Sequence, residues 1–289
     1  MNYILFYKGR LPKYLKYSIN TILQVDKTSK VFFITDQKIE IVDKRVKVFQ
    51  IKDLDSKYIK RIYQEDYFSG EQNDLWETSL MRVFYINELV NLENIEEFIH
   101  FDLDVLIYKS FEEIKSSFLM NKINITQLTK NFLVFGYLFI PKKHLYNELT
   151  EIIFKIFENR FYYEKKYYDT KRLNEMKMLF IAYDKNPELF NLIQVLPNKN
   201  ISHVFDPGSY GQFLGGTHNK KFSKGFIDSE HIVGSEILKK NIKPATLKNK
   251  YGVIKDDTFY ELANLHVHSK KLKNFLPQNY KNIISINKV

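Results

Sequence analysis

Runs of apolar residues separated by charged ones set the expected elements along the chain. YILFYKG (3–9), KVFFITD (30–36) and RVKVFQI (45–51) are apolar runs of strand length. Between the first two, LPKYLKYSINTILQV (11–25) reads as a helix with Pro12 near its start. LWETSLMRVFYINELVNL (75–92) is a second helix, with Leu80, Val83, Phe84, Leu89 and Val90 at helical spacing. It leads into FIHFDLDVLIY (98–108), which reads as a buried strand. Strands alternating with helices in this way predict an α/β fold with a mostly parallel sheet covered on both faces. In such sheets ligands sit at the carboxyl ends of the strands, where Asp36, Asp102 and Asp104 fall.

The second part is less regular. NFLVFGYLFIP (131–141) predicts a strand, residues 145–168 and 172–184 predict helices, and FNLIQVLP (190–197) predicts another strand. HVFDPGSYGQFLGGTHN (203–219) follows, with a Pro-Gly turn, a short helix from Ser209 and a Gly-Gly stop. LANLHVHS (262–269) predicts a late strand. There is no internal repeat, low-complexity linker or composition break, so a single domain over 1–289 is expected.

Composition narrows the class. The 289 residues are 44% hydrophobic and 16% aromatic, which is globular composition. With no cysteine, any metal must be held by oxygen and imidazole. The net charge of +10 points to an anionic partner, but the lysines are spread along the chain. No helix-turn-helix, zinc or RNP-type signature accompanies them, so no nucleic-acid partner is expected. An acidic substrate fits better, with peripheral membrane association left open. MNYILFYKGR lacks the basic region and long apolar core of a signal peptide, and no run is long enough to span a bilayer. The expected location is cytoplasmic, with the inner face of the membrane as an option.

Two clusters suggest chemistry. Read as a strand, 98–108 puts His100, Asp102 and Asp104 on one face and Phe101, Leu103 and Val105 on the other. Carboxylates two apart on a strand lie about 6.6 Å apart and repel by about 2.5 kcal/mol at an effective dielectric near 20. A divalent cation with phosphate opposite would relieve that repulsion. In LHVHS, His266 and His268 alternate, so both imidazoles can face one side while Val267 packs behind. A solvated edge strand and two ordinary histidines are the bland alternatives.

ITD ending the second strand, Arg82 in the helix ahead of FIHFDLDVLIY, and a late LHVHSKK together resemble the GT-A glycosyltransferases. The likeness is closest to small bacterial and viral enzymes and the glycogenin-like branch. It covers most of the chain in element order but only short motifs in residue identity. It implies a Rossmann-like, mixed but mostly parallel sheet flanked by helices. About 1–110 would be a nucleotide-binding half, and about 111–289 an acceptor-binding half with a helical insertion. The implied activity is metal-dependent transfer of a sugar from a nucleotide-sugar, UDP-linked first, to a glycan, lipid-linked or protein acceptor. Mn²⁺ or Mg²⁺ would be held by Asp104, with Asp102 bridging to the metal or to the ribose of the nucleotide-sugar and one late histidine, His266 or His268, completing the coordination. Asp36 would meet the base, and Arg82 and Lys271 would clamp the diphosphate. Glu175, in NEM (174–176) opening the helix before FNLIQVLP, occupies the place of the catalytic carboxylate, where the glycogenin-like branch has D-Q-D. Asp206 is its rival, with Gln212 bonding sugar hydroxyls. A metal-dependent phosphoesterase built on the same D-x-D and H-x-H residues is the alternative function.

Overall fold

The computed structural model describes residues 1–65, 67–69, 75–218 and 225–288. In chain order the first half forms β1 (Asn2–Tyr7), α1 (Leu15–Val25), β2 (Lys30–Thr35), β3 (Ile39–Ile41), β4 (Val46–Gln50), α2 (Lys57–Gln64), α3 (Leu75–Leu92), β5 (Phe98–His100) and β6 (Val105–Ile107). The second half continues with α4 (Phe111–Ile114), β7 (Ile123–Thr129), β8 (Phe132–Ile140), α5 (Lys143–Glu158), α6 (Arg160–Tyr168), α7 (Glu175–Lys185), β9 (Phe190–Ile193), β10 (His203–Val204) and α8 (Ser209–Gly215). It ends with α9 (Ile232–Leu238), β11 (Lys243–Leu247), β12 (Lys250–Lys255), β13 (Thr258–Leu262), β14 (Asn264–His266) and β15 (Ile286–Lys288).

The main sheet has the order β4-β2-β1-β5-β8-β7-β9, so it runs unbroken through both halves. Only β8 opposes its neighbours, pairing antiparallel with β5 and β7, while the other pairings are parallel. This is the α/β fold with a mixed, mostly parallel sheet that the sequence predicts. Its apolar strands are explained by burial on both faces. Ile4, Ile34, Leu138 and Ile140 pack with Leu80, Phe84, Leu149 and Leu179 of α3, α5 and α7. Tyr3, Phe33, Ile99 and Phe139 pack with Leu15, Ile19 and Ile22 of α1 on the other face. Such two-sided burial leaves no polar alternation for the sequence to display.

Three expectations change. The run 98–108 is not one strand: β5 stops at His100, a turn spans Leu103–Asp104, and β6 begins at Val105. The turn closes through Val105 N–H donating to the Asp102 carbonyl at 3.0 Å, while Asp102 N–H donates to the Phe135 carbonyl at 3.1 Å. After the turn β6 leaves the main sheet and pairs antiparallel with β14, setting His266 opposite Val105. The helix expected over 145–168 breaks at Asn159 into α5 and α6. The late strand ends at His266, and Val267–Lys270 form a turn instead. The Gly-rich segment is described as far as His218; Asn219 lies outside the described residues.

Candidate active site

A cavity of about 510 Å³ opens at the carboxyl ends of β1 and β5. It is lined by Tyr7, Lys8, Tyr14, Trp76, Arg82, Asp102, Asp104, Phe135, Glu175, Pro207, His218, His266, His268 and Lys270, among others. The β6–β14 ladder is what brings the late histidines to the acids, because pairing Val105 with His266 sets Asp104 beside the imidazoles. Val267 N–H donates to the Asp104 carbonyl at 2.9 Å and fixes that register.

Asp104, His266 and His268 each offer a ligand atom within 4.8 Å of the others'. The His266 Nε2 lies 3.2 Å from Asp104 Oδ1 and 3.8 Å from Asp102 Oδ2. The two imidazoles stack with centroids 4.2 Å apart. Burial opposes the charge on Asp104, but His266 and Lys270 outweigh it and hold the carboxyl well below the usual range. Burial, reinforced by His266, pulls the His268 imidazole down to about 3, so it stays neutral with a lone pair to give.

The residues fit a metal ion on three grounds. The donor set is one carboxylate and two imidazoles. The Nδ1 of His266 is buried with no hydrogen-bond partner. Gly208 leaves space beside the histidines, since a Cβ there would lie 2.8 Å from His268 Nε2. Its φ of +118° is itself a conformation that favours glycine.

Asp102, expected at both metal and nucleotide, has its Oδ1 taken by Arg82 and falls outside the three-residue group. Arg82, expected as a diphosphate clamp, is instead a bridge. One terminal nitrogen bonds Asp102 and the other donates to Glu175 Oε1 at 2.9 Å, while the guanidinium lies 4.9 Å from the centre of the Phe135 ring. Glu175 opens α7, and the preceding Asn174 caps that helix by accepting the Lys177 N–H at 3.0 Å. Burial raises the Glu175 carboxyl to about 7 even against the opposing pull of Arg82.

Asp206 does not belong to the cavity lining. Its side chain is fully buried and accepts four backbone N–H groups, from Gly208 (2.8 Å), Tyr210 (2.9 Å), Gly211 (2.9 Å) and His266 (3.0 Å). It is a clasp that joins the start of α8 to β14. Gly211 permits that closeness, because a Cβ there would lie 1.8 Å from the His266 carbonyl oxygen. Gln212, expected to bond a sugar, sits in α8 outside the lining, and its Oε1 is buried without a partner. Lys271 is exposed and also outside the lining. Its neighbour Lys270 instead faces the cavity: Lys270 N–H donates to the Val267 carbonyl at 2.9 Å, φ is +62°, and the ammonium returns to pair with Asp104. Asp36 is exposed at the end of β2, where its Oδ1 accepts the Gly9 N–H at 2.9 Å, and it too lies outside the lining.

Sequence reasoning missed Tyr14, Trp76, Phe135 and His218. Trp76 is the sole tryptophan and sits on the same helix as Arg82, a signal that was present in the chain. Tyr14, 6.0 Å from the Lys270 ammonium, carried none.

No protein-family model and no curated protein matches the chain. Among solved structures it is similar to mouse xyloside xylosyltransferase 1 in its apo form, at 13% identity over 67% of this chain and 86% of that one, with a TM-score of 0.42. It is also similar to the galactosyltransferase LgtC in complex with donor and acceptor sugar analogs, at 10% identity over 67% of this chain and 73% of that one, with a TM-score of 0.40. The glycosyltransferase GlyE of Streptococcus pneumoniae matches at 10% identity over 66% of this chain and 44% of that one, with a TM-score of 0.38. Each of these is a glycosyltransferase. At this distance they bear on neither donor nor acceptor.

Proposed function

We propose that the protein is a metal-dependent glycosyltransferase, working as one catalytic domain. It would move a sugar from a nucleoside-diphosphate donor, UDP the first choice, to a hydroxyl of a glycan, lipid-linked or protein acceptor. One observation carries this reading: a donor set for one cation and a buried carboxyl near neutral pKa meet in one cavity at the carboxyl ends of parallel strands.

Asp104, His266 and His268 would hold the ion, with Mn²⁺ favoured over Mg²⁺ because Mg²⁺ demands oxygen ligands. When bound, the ion supplies positive charge where a leaving diphosphate gains negative charge. Lys270 adds a second cation at the same place. The Oδ2 of Asp102, 3.8 Å from His266 Nε2 on a side chain 30% exposed, would meet donor hydroxyls. Arg82 fixes Asp102 and Glu175 relative to one another. Glu175 would take the acceptor hydroxyl's proton as that oxygen attacks the anomeric carbon, and a carboxyl near 7 is well matched to this at neutral pH. That role requires inversion. Asp36 would meet the uracil from beyond the cavity rim.

A phosphoesterase with two metals needs a second set of donors. Among the described residues one group of three is present, which favours transfer over the rival. Thermal shifts with nucleotides and Mn²⁺ test the reading. UDP with Mn²⁺ is expected to raise the melting temperature, UDP-sugars are expected to be turned over, and bis-p-nitrophenyl phosphate is expected to survive. Hydrolysis of that ester with no response to any nucleotide would favour the rival.

A further inference from the structure

We infer that α6 docks the protein on an anionic lipid bilayer. The helix, RFYYEKKYY, exposes Phe161 at 68% and Tyr162 at 58%, two adjacent aromatic side chains facing solvent. Single exposed apolar residues are ordinary on a protein surface, but neighbouring aromatic rings on one helix face are not. One turn later, at helical spacing, come Lys165 and Lys166, both exposed. The Lys166 ammonium lies 5.6 Å from the centre of the Tyr162 ring, so the rings and cations share one face.

The opposite face of α6 is fixed. Arg160 donates to Glu65 at 2.7 Å and lies over the Phe157 ring at 4.8 Å, and Glu164 accepts from the Tyr67 hydroxyl. The exposed rings therefore stand on an anchored helix rather than a frayed one. The charge beside them is one-sided. On α6 the exposed charges are Lys165 and Lys166, while its one acid, Glu164, is buried against Tyr67. Aromatic rings beside lysines are the composition that settles at the headgroup level, with rings at the acyl boundary and ammonium groups among phosphates. The Phe161 ring offers no hydrogen-bonding group, which suits the acyl boundary of a bilayer.

Co-sedimentation with vesicles tests the proposal. The full chain is expected to pellet with phosphatidylcholine mixed with phosphatidylglycerol, not with phosphatidylcholine alone, and high salt is expected to release it. Lys165→Ser with Lys166→Ser should lower partitioning about 25-fold, at about fivefold for each lysine. Phe161→Ser with Tyr162→Ser should lower it about tenfold or more. Circular dichroism melts confirm that each variant is folded, and either pair alone decides the matter. Failure of the parent to pellet with the mixed vesicles would overturn the proposal. So would equal pelleting with both vesicle types, unchanged pelleting in a folded variant, or capture by dextran sulfate but not by vesicles.

Discussion

Arg82 is the side chain through which the candidate site is held together, and it shows how far single residues could be read from the chain. Its helix position ahead of the acidic pair is visible in the sequence, and so are Glu175 and the alternating histidines. What it bonds is not visible, because Asp102 and Glu175 reach it from elements far apart in the chain. Lys270 was hidden for a smaller reason: a left-handed residue in the turn after β14 brings it, and not Lys271, back to Asp104. The Glu175→Gln variant keeps the shape and one hydrogen bond to Arg82 but removes the base. Turnover should fall about 10²–10⁴-fold while UDP affinity in titration calorimetry holds. Loss of affinity with turnover spared would make Glu175 a binding residue. The same carboxyl gives a pH signature. Raised from 4.5 to about 7, it keeps its proton in the folded state over that window while the unfolded chain releases it. Stability therefore falls as pH rises from 4.5 to 7 and levels above it, and activity should rise towards a plateau above about 7. Melting curves of the parent and Glu175→Gln should differ in slope across that window; parallel curves would show that the carboxyl is not shifted.

At the scale of elements, the β6–β14 ladder and the Asp206 clasp assemble the site. The sequence displays at 98–108 an apolar run with His100, Asp102 and Asp104 set into it at alternate positions, as one strand would, and nothing in that periodicity marks the turn that aims Asp104 at His266. After the turn β6 finds its partner in the late β14, with Val105 set opposite His266, and such a long-range pairing leaves no local pattern. Asp206 reads from sequence as a ligand residue because a turn acid beside glycines fits that role. Its true partners are four backbone N–H groups, including one supplied by β14. Asp206→Ala would strand those buried donors, at about 1–3 kcal/mol each where water cannot reach, so a loss of about 3 kcal/mol or more is expected. Urea midpoints measure it, and a near-neutral result would return Asp206 to the cavity. The break between α5 and α6 was equally illegible: aromatic residues continue through Asn159, whose Nδ2 turns back to the Lys155 carbonyl at 2.8 Å.

Across the whole molecule, the strand alternation of the first half was legible because parallel strands buried on both faces are written as continuous apolar runs. The later β11–β13 meander, with polar and half-exposed strands, was not. The two halves share one sheet, and the late strands return to the first half, β14 to β6 and β15 to β3. A single urea transition is therefore expected, with Trp76 fluorescence and far-ultraviolet circular dichroism coinciding; separated midpoints would indicate independent halves. The central claim is that one cavity joins a metal-binding set to a nucleotide. Titration calorimetry of UDP into the protein with and without Mn²⁺, repeated for Asp104→Ala, tests it most directly. The account predicts Mn²⁺-dependent binding that Asp104→Ala abolishes while its circular dichroism stays native. Equal UDP affinity with and without Mn²⁺, or unchanged Mn²⁺-dependent affinity in the folded variant, would contradict it.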